Sequence, residues 1–188
     1  MAPIRVRPTR ADKVIASAIA RHTGRRTEKA AQVLTWGADE HILCALAAGW
    51  WFYSRHGDAG QRQTADHILL TTFAASALPH LLKNLFDQER PDRRTIRGHW
   101  RGVPFSGRGE DAFPSGHAVH VGALASAASQ LPARQRHLVW GLGAGLVATR
   151  VVLLAHWVSD VVAGLALGAS VERALRFVSG YGRDVRKA

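Results

Sequence analysis

The sequence predicts an all-α fold in which about five transmembrane helices form a multi-pass membrane bundle behind a basic, amphipathic N-terminal segment. Three observations favour this fold. Apolar residues dominate five stretches of the chain, at 42–53, 68–86, 118–131, 138–157 and 158–177. Tryptophans lie near the ends of these stretches, where their rings would meet lipid headgroups. Small residues, such as the pair Gly164 and Gly168, would let neighbouring helices approach closely.

The apolar stretches differ in how well they match a bilayer, which takes about 20 mostly apolar residues to cross. The second, fourth and fifth stretches are long enough by themselves. The first and third are long enough only when residues 36–41 and 113–117 extend them. We therefore expect a membrane domain at residues 36–178, between a basic juxtamembrane segment at 1–35 and a basic tail at 179–188.

Composition limits the function classes. A chain of 188 residues with 47% hydrophobic residues is expected to form one domain with a real core. The formal net charge of +11 favours an anionic partner, and it leaves nucleic acid, an anionic membrane surface and a phosphorylated substrate open. The single cysteine, Cys44, excludes an internal disulfide and a cysteine-based zinc cage.

The N-terminal segment contains one predicted helix. Thr9 and Asp12 have the spacing of a helix-capping pair, and Gly24 is expected to end the helix. One side of this helix would carry the apolar residues Val14, Ile15, Ala18 and Ile19. Two interpretations stay open, a helix lying on an anionic leaflet and a solvated arm.

The first polar cluster combines Lys83 with Arg90 and Pro91. A proline disfavours helical backbone at the preceding residue, so Arg90 is expected where the helix ends. An ammonium and a planar guanidinium together suit a tetrahedral anion such as phosphate. Residues 87–113 predict an extramembrane loop, whose arginines could contact a headgroup or anionic lipid: Arg93, Arg94, Arg97, Arg101 and Arg108.

The second cluster, Pro114-Ser115-Gly116-His117, predicts the start of a helix. Proline is favoured in the first turn of a helix, and glycine lets a ligand approach the backbone closely. The N–H groups of Ser115 and Gly116 would then form an anion site at the helix N-terminus. His117 would be close enough to exchange a proton with a bound phosphate ester.

The third cluster contains Arg150, His156 and Asp160. His156 and Asp160 are four residues apart, so a helix would place them on one face. A carboxylate in that position can accept the proton of one imidazole nitrogen and leave the lone pair of the other free for attack. Arg150, six residues before His156, could reach the oxygens of the same phosphate.

All three clusters could meet in one site, because an even number of predicted crossings separates each cluster from the next. Basic residues occur on both sides of the predicted bundle, so the positive-inside rule leaves the membrane face of the site open. In order and spacing, the clusters resemble the three-part signature of the type-2 phosphatidic acid phosphatase superfamily, which includes vanadium haloperoxidases. One departure is Thr149, where that family usually has serine; the hydroxyl is retained.

The resemblance implies a role for each matching residue. His156 would attack phosphorus to form a phosphohistidine, with Asp160 orienting it. His117 would protonate the leaving oxygen and later activate water. The phosphoryl oxygens would be held by Lys83, Arg90, Ser115, Gly116 and Arg150. The resemblance implies no metal ion and no cofactor.

The leading hypothesis is an integral-membrane lipid phosphatase in the cell membrane. It would act on a lipid phosphate or diphosphate whose tail stays in the bilayer, either an isoprenoid diphosphate such as undecaprenyl diphosphate or a phosphatidyl-type lipid. Nucleic acid is not expected as a partner. Two alternatives remain, a vanadate-dependent haloperoxidase using the same pocket and a non-enzymatic basic membrane protein that binds anionic lipid or nucleic acid.

Overall fold

The computed structural model describes residues 3–91 and 111–182. Within these ranges the chain folds into helices joined by short turns, with one small sheet. Strand β1 (Ile4–Arg5) pairs in parallel with strand β2 (Phe86–Asp87). The pairing ties the start of the chain to the segment that leads to Arg90.

Two helices form the N-terminal segment. Helix α1 (Arg10–His22) begins at Thr9, whose side chain accepts from the Asp12 N–H at 3.1 Å, while the Thr9 N–H donates to the Asp12 carboxylate at 2.8 Å. This confirms the predicted capping pair. Helix α2 (Arg25–Leu34) follows Gly24, and a short 3-10 helix (Thr35–Ala38) leads into the bundle.

Five longer elements form the rest of the described chain. Helix α3 (Glu40–Ser54) and helix α4 (Ala59–Lys83) pack together as a pair. Helix α5 (Gly116–Ala127) ends in a 3-10 turn (Ala128–Gln130). Helix α6 (Ala133–Val152) and helix α7 (Val158–Ser179) complete the fold.

The predicted multi-pass membrane bundle is wrong: among the helices of residues 3–91 and 111–182, none is both long enough and apolar enough to cross a membrane. The apolar stretches and the helices have different boundaries. Helices α3 and α5 have only 15 and 12 residues, and the apolar stretch at 138–157 leaves the helix after Val152. Helices α4 and α7 reach 25 and 22 residues, but charged and polar side chains interrupt them, including Asp66 and Glu172.

Helix α5 lies at the centre of the fold, packed most extensively against α7. The predicted close approach at Gly164 and Gly168 is confirmed. A Cβ atom at Gly164 would lie 2.7 Å from the Ser115 carbonyl oxygen, and one at Gly168 would collide with the backbone of Val119. This contact brings the start of α5 beside the start of α7, because Ser115 donates its N–H to the Asp160 carbonyl at 3.4 Å.

A buried polar cluster ties the opposite ends of the same helices together. His67 of α4 lies 2.9 Å from Glu172 of α7 through Nε2, and 3.1 Å from the Ser179 hydroxyl through Nδ1. Glu172 also accepts from Ser126 at 2.6 Å and from Arg176 at 2.7 Å. The cluster therefore satisfies the buried carboxylate with donors from three helices.

Candidate active site

Three chain segments converge on one cavity of about 670 Å³. Its lining includes six of the eight residues predicted from the sequence, namely Lys83, Arg90, Gly116, His117, Arg150 and His156. Ser115 and Asp160 lie behind this surface and are fully buried. The loop arginines at 93, 94, 97, 101 and 108 and the tail at 183–188 lie outside the described residues.

The turn between α6 and α7 places Arg150 and His156 on the same cavity. Leu154 adopts left-handed backbone, with φ 55°, although leucine carries a Cβ that disfavours it. The N–H groups of Ala155 and His156 both donate to the Arg150 carbonyl, at 3.0 and 3.3 Å. This tight turn replaces the continuous apolar helix expected at 138–157, and local backbone strain of this kind often occurs at functional sites.

His156 is held in one tautomer by a backbone contact. Its Nδ1 lies 2.7 Å from the carbonyl oxygen of Ala112. A carbonyl can only accept, so Nδ1 carries the proton and Nε2 keeps the free lone pair. Burial, followed by the charges of Arg150 and Arg90, lowers the pKa of His156 well below its usual value. The ring is therefore neutral at neutral pH and has a nucleophilic nitrogen.

Asp160 has a different position from the one that spacing suggested. Its Oδ2 is 3.9 Å from His156 Nδ1, beyond hydrogen-bond distance, and it accepts instead from the Trp157 N–H at 2.9 Å. Burial raises the pKa of Asp160 to about 7. The carboxyl group caps the first turn of α7 beside the histidine, and the Ala112 carbonyl accepts the hydrogen bond from the imidazole Nδ1–H.

The start of α5 supplies His117 and Gly116 to the cavity. Burial, and next the charge of Arg150, lowers the pKa of His117 to about 3. Ser115 differs from expectation, because its N–H donates to Asp160 and is not directed at a ligand. The Ser115 hydroxyl is buried and has no hydrogen-bond partner within the described part of the chain.

The cations are arranged around a carboxylate that the sequence analysis missed. Arg90 donates to Asp111 from Nη2 at 2.8 Å and from Nε at 3.1 Å, and the Lys83 ammonium lies 3.5 Å from the other Asp111 oxygen. Asp111 thus occupies the position between Lys83 and Arg90 where phosphoryl oxygens are expected. No motif marked it, because it follows the arginine-rich loop and its role depends on the chain returning to Arg90.

Arg150 completes the cationic wall. It is 3% exposed, and its Nη1 donates to the Thr35 hydroxyl at 3.0 Å. Its Nε has no partner among the residues described. Burial, and next the charge of Arg90, lowers the pKa of Arg150 to about 10, so the guanidinium stays protonated at neutral pH. Thr35 was also missed, since a lone threonine carries no sequence signal.

A further part of the cavity wall is formed by the N-cap and first turn of α3 together with the end of α4. It includes Asp39, Glu40 and His80, and Glu40 lies 3.1 Å from His80. His120 also lines the cavity and contacts the Ser76 hydroxyl at 2.9 Å. The site therefore has a cationic side for a phosphoryl group and a mixed side for the rest of a ligand.

Comparison with known proteins identifies similar sequences. A lipid A 1-phosphatase of Rhizobium johnstonii is 38% identical over 104 residues, which are 55% of this chain and 43% of that protein. A decaprenylphosphoryl-5-phosphoribose phosphatase of Mycobacterium tuberculosis is 31% identical over 115 residues, 61% of each chain. The chain thus spans less than half of the Rhizobium enzyme.

Solved structures share the fold. The crystal structure of Aquifex aeolicus LpxE superposes with a TM-score of 0.74 at 13% identity, covering 92% of this chain and 98% of that one. A transmembrane PAP2 type phosphatidylglycerolphosphate phosphatase of Bacillus subtilis gives a TM-score of 0.60 at 20% identity, with 90% and 85% covered.

The family match includes the whole predicted signature. The model of the PAP2 superfamily matches residues 66–181, which contain Lys83 and Arg90, the start of α5, and the turn from Arg150 to Asp160. This confirms the resemblance that the three clusters predicted, and the chain belongs to the PAP2 superfamily.

Proposed function

We propose that this protein is a phosphatase that removes a phosphoryl group from a lipid phosphate. The observation that carries the proposal is the 2.7 Å contact between His156 Nδ1 and the Ala112 carbonyl. It leaves a neutral imidazole with a free Nε2 lone pair in a cavity that also holds Lys83, Arg90 and Arg150. A nucleophile beside three cations suits attack on phosphorus.

In the proposed first step, the substrate phosphate replaces Asp111 as the partner of Lys83 and Arg90. His156 Nε2 forms a bond to phosphorus while the bond to the leaving oxygen breaks. His117 gives its proton to that oxygen, and the dephosphorylated lipid departs. The three cations stabilise the charge that develops on the phosphoryl oxygens.

In the second step, water attacks the phosphohistidine. His117, now neutral, takes a proton from the water, the phosphorus–nitrogen bond breaks, and inorganic phosphate leaves. His117 must therefore be protonated when substrate is bound. A bound phosphate dianion offsets the charge of Arg150, and we expect it to raise the pKa of His117 from about 3.

The cavity and the relatives support the proposed substrate class. About 670 Å³ is much more space than a phosphoryl group needs, and it is typical of a cavity that also holds part of an organic ligand. Trp36 and Ile42 line it and are 47% and 41% exposed, which offers apolar surface to a tail. The relatives are named for lipid A and for a decaprenyl-linked sugar phosphate.

We therefore place the protein at the cell membrane, where its substrate is dissolved. The candidates remain an isoprenoid diphosphate, such as undecaprenyl diphosphate, and a phosphatidyl-type lipid. Exposed apolar side chains on α3, including Leu46, Trp50 and Phe52, support contact with lipid.

The test is phosphate release by purified protein in detergent with EDTA, measured on diphosphates and monophosphates of matched tail length. We expect turnover of at least one lipid substrate by the wild type and none by His156→Ala. His137→Ala, which changes an exposed histidine of α6, is the matched control and should keep wild-type turnover. Equal phosphate release by the wild type and His156→Ala would contradict the proposal.

A further inference from the structure

We propose that Asp12, in the N-terminal helix α1, is a positioning residue of the active site. It caps helix α7 from outside through Ser159 and thereby holds Asp160 and His156 in place. Helix α1 lies outside the region matched by the family model, residues 66–181. The inference rests on the proposed phosphatase activity and extends the machinery to a segment that the family signature does not contain.

The contact is a pair of hydrogen bonds across 147 residues of sequence. The Ser159 N–H donates to Asp12 Oδ1 at 2.9 Å, and the Ser159 hydroxyl donates to Asp12 Oδ2 at 2.8 Å. Asp12 is only 3% exposed although it lies in a short, strongly charged helix. A buried carboxylate with two bonds to one residue indicates a specific docking contact.

The first turn of α7 needs this partner. Its N-cap residue is Trp157, whose side chain has no acceptor for the free N–H groups of the first turn. An N-cap serine, threonine or aspartate normally supplies that acceptor. Here Asp160 accepts from the Trp157 N–H, and Asp12 supplies the acceptor for Ser159 from another helix. A carboxylate at this end also suits the helix dipole.

Asp12 is itself held firmly. The Thr9 N–H and the Thr9 hydroxyl both donate to Asp12 Oδ2, each at 2.8 Å. The two contacts are therefore coupled, because Thr9 holds the Asp12 side chain in the rotamer that binds Ser159. The backbone just before Thr9 is anchored as well, since the Val6 N–H donates to the Asp87 carbonyl at 2.9 Å.

A second contact of α1 supports the same role. One turn beyond Asp12, the buried Ala16 packs in a cluster with Ala112, Leu154 and Trp157. Ala112 supplies the carbonyl that binds His156, and Leu154 forms the left-handed turn before it. Helix α1 therefore packs against residues on both sides of the nucleophile, Leu154 and Trp157, in addition to capping the helix that follows it.

The expected effect is on turnover more than on substrate binding, because the cations that hold phosphate do not touch Asp12. Loss of the contact frees the first turn of α7 and lets the imidazole shift. Small misplacements of a reacting group cost up to about 100-fold in rate, so we expect Asp12→Ala to lower kcat about 10- to 100-fold. KM should change by less than about three-fold.

The experiment compares four variants by kcat, KM and thermal unfolding. Asp12→Asn keeps Oδ1 as the acceptor for the Ser159 N–H but replaces Oδ2, the acceptor for the Thr9 N–H, with an amide that only donates, so it should recover part of the activity lost in Asp12→Ala. Ser159→Ala removes one of the two bonds and should be intermediate. The matched control is Asp58→Ala, which removes the N-cap of α4, where Asp58 accepts from the Gln61 N–H at 2.8 Å. This control should keep wild-type kcat.

Amide hydrogen exchange at Ser159 provides a readout that does not need activity. We expect faster exchange in Asp12→Ala and no change in Asp58→Ala. Wild-type kcat in both Asp12→Ala and Ser159→Ala would overturn the proposal, as would an equal loss of kcat in Asp58→Ala. If Asp12→Ala does not fold, the kcat values of Ser159→Ala and Asp12→Asn test the proposal in its place. A wild-type protein without phosphatase activity would instead contradict the proposed function, while the exchange rates still test the docking.

Discussion

Helix α7 carries a buried carboxylate near each end, and each lies beside a histidine. Near the cavity, Asp160 is 3.9 Å from His156 and does not bond to it. At the other end, Glu172 lies 2.9 Å from His67 and forms a hydrogen bond. A carboxylate of α7 therefore lies beside a histidine from another segment in both places, with opposite electrostatic outcomes. Burial raises the pKa of Asp160 to about 7. At Glu172, burial acts in the same direction, but hydrogen bonds from His67 and Arg176 lower the pKa to about 2.

The difference lies in how many partners each histidine has. Both nitrogens of His67 are engaged, by Glu172 and by Ser179, and Tyr181 stacks on the ring at 4.2 Å. His156 has one engaged nitrogen and one facing three cations. A fully paired histidine stabilises the fold, and a half-paired histidine in a cavity is available for chemistry. Pairing, and not residue type or spacing, separates the two roles.

The largest expected effect tests the half-paired histidine. We expect His156→Ala to lower kcat by a factor on the order of 10⁴ to 10⁶, the scale seen when a nucleophile is removed. His67→Ala is the matched change at the other end and should leave kcat unchanged at temperatures where the protein is folded. The measurement is phosphate release under saturating lipid substrate. A similar loss of kcat in both variants would remove the distinction between the two ends.

The proton shuttle has the next largest expected effect. His117→Ala should lower kcat by about 10² to 10⁴-fold for a poor leaving group, the usual contribution of a positioned proton donor. The loss should shrink for a nitrophenyl ester, whose leaving oxygen needs no proton. An identical loss for both leaving groups would exclude the general-acid role and leave His117 as a binding residue.

The closed cluster should affect stability and not chemistry. Glu172→Ala leaves His67 and Arg176 without their buried partner, and removing one member of a buried ionic network costs about 3–5 kcal/mol. We expect the free energy of unfolding to fall by that amount in urea titrations, with kcat retained by the folded fraction. Ser170→Ala, at an exposed position of the same helix, is the control and should leave stability nearly unchanged.

The smallest effect separates the two carboxylates by pH. The raised pKa of Asp160 means that its stabilising contribution is full below about 3.8 and is lost as pH rises to about 7. The lowered pKa of Glu172 means that its contribution is full above about 4.5 and is lost as pH falls to about 2. Each contribution is on the order of a few kcal/mol.

Unfolding free energies measured across this pH range should therefore change differently in two variants. Asp160→Asn should flatten the loss of stability between pH 4 and 7, and Glu172→Gln should flatten the loss below pH 4.5. If Asp160→Asn loses as much stability between pH 4 and 7 as the wild type does, Asp160 is ionised throughout this range. The contrast between the two carboxylates of α7 is then wrong.

Sequence reasoning brought the candidate reacting groups together but did not predict their partners. Order and spacing placed Lys83, Arg90, Gly116, His117 and His156 in one site, and one cavity contains them all. The expected bond from His156 to Asp160 is absent, because α7 begins at Val158 and His156 lies before it, where Nδ1 contacts the Ala112 carbonyl. A backbone carbonyl 44 residues away leaves no mark in a sequence pattern.

The fold prediction failed for a related reason. Hydropathy marks apolar residues but not the point where a helix ends, so it predicts one spanning helix over residues 138–157. In the structure that stretch ends as a helix at Val152 and continues as the turn that delivers His156. Polar residues inside the longer helices have partners that composition cannot show, as at His67 and Glu172.

The sequence by itself determined the superfamily and the candidate reactive side chains, because the chemistry of phosphate requires cations and histidines at characteristic spacings. Only the tertiary structure decided which histidine is free to react, where Asp111 lies, and how Asp12 reaches helix α7. Those outcomes depend on distances between segments far apart in the chain. The packing of α1 and α5 against α7 sets these distances. Burial then shifts the pKa values of the side chains, and a hydrogen bond to a backbone carbonyl selects the tautomer of His156.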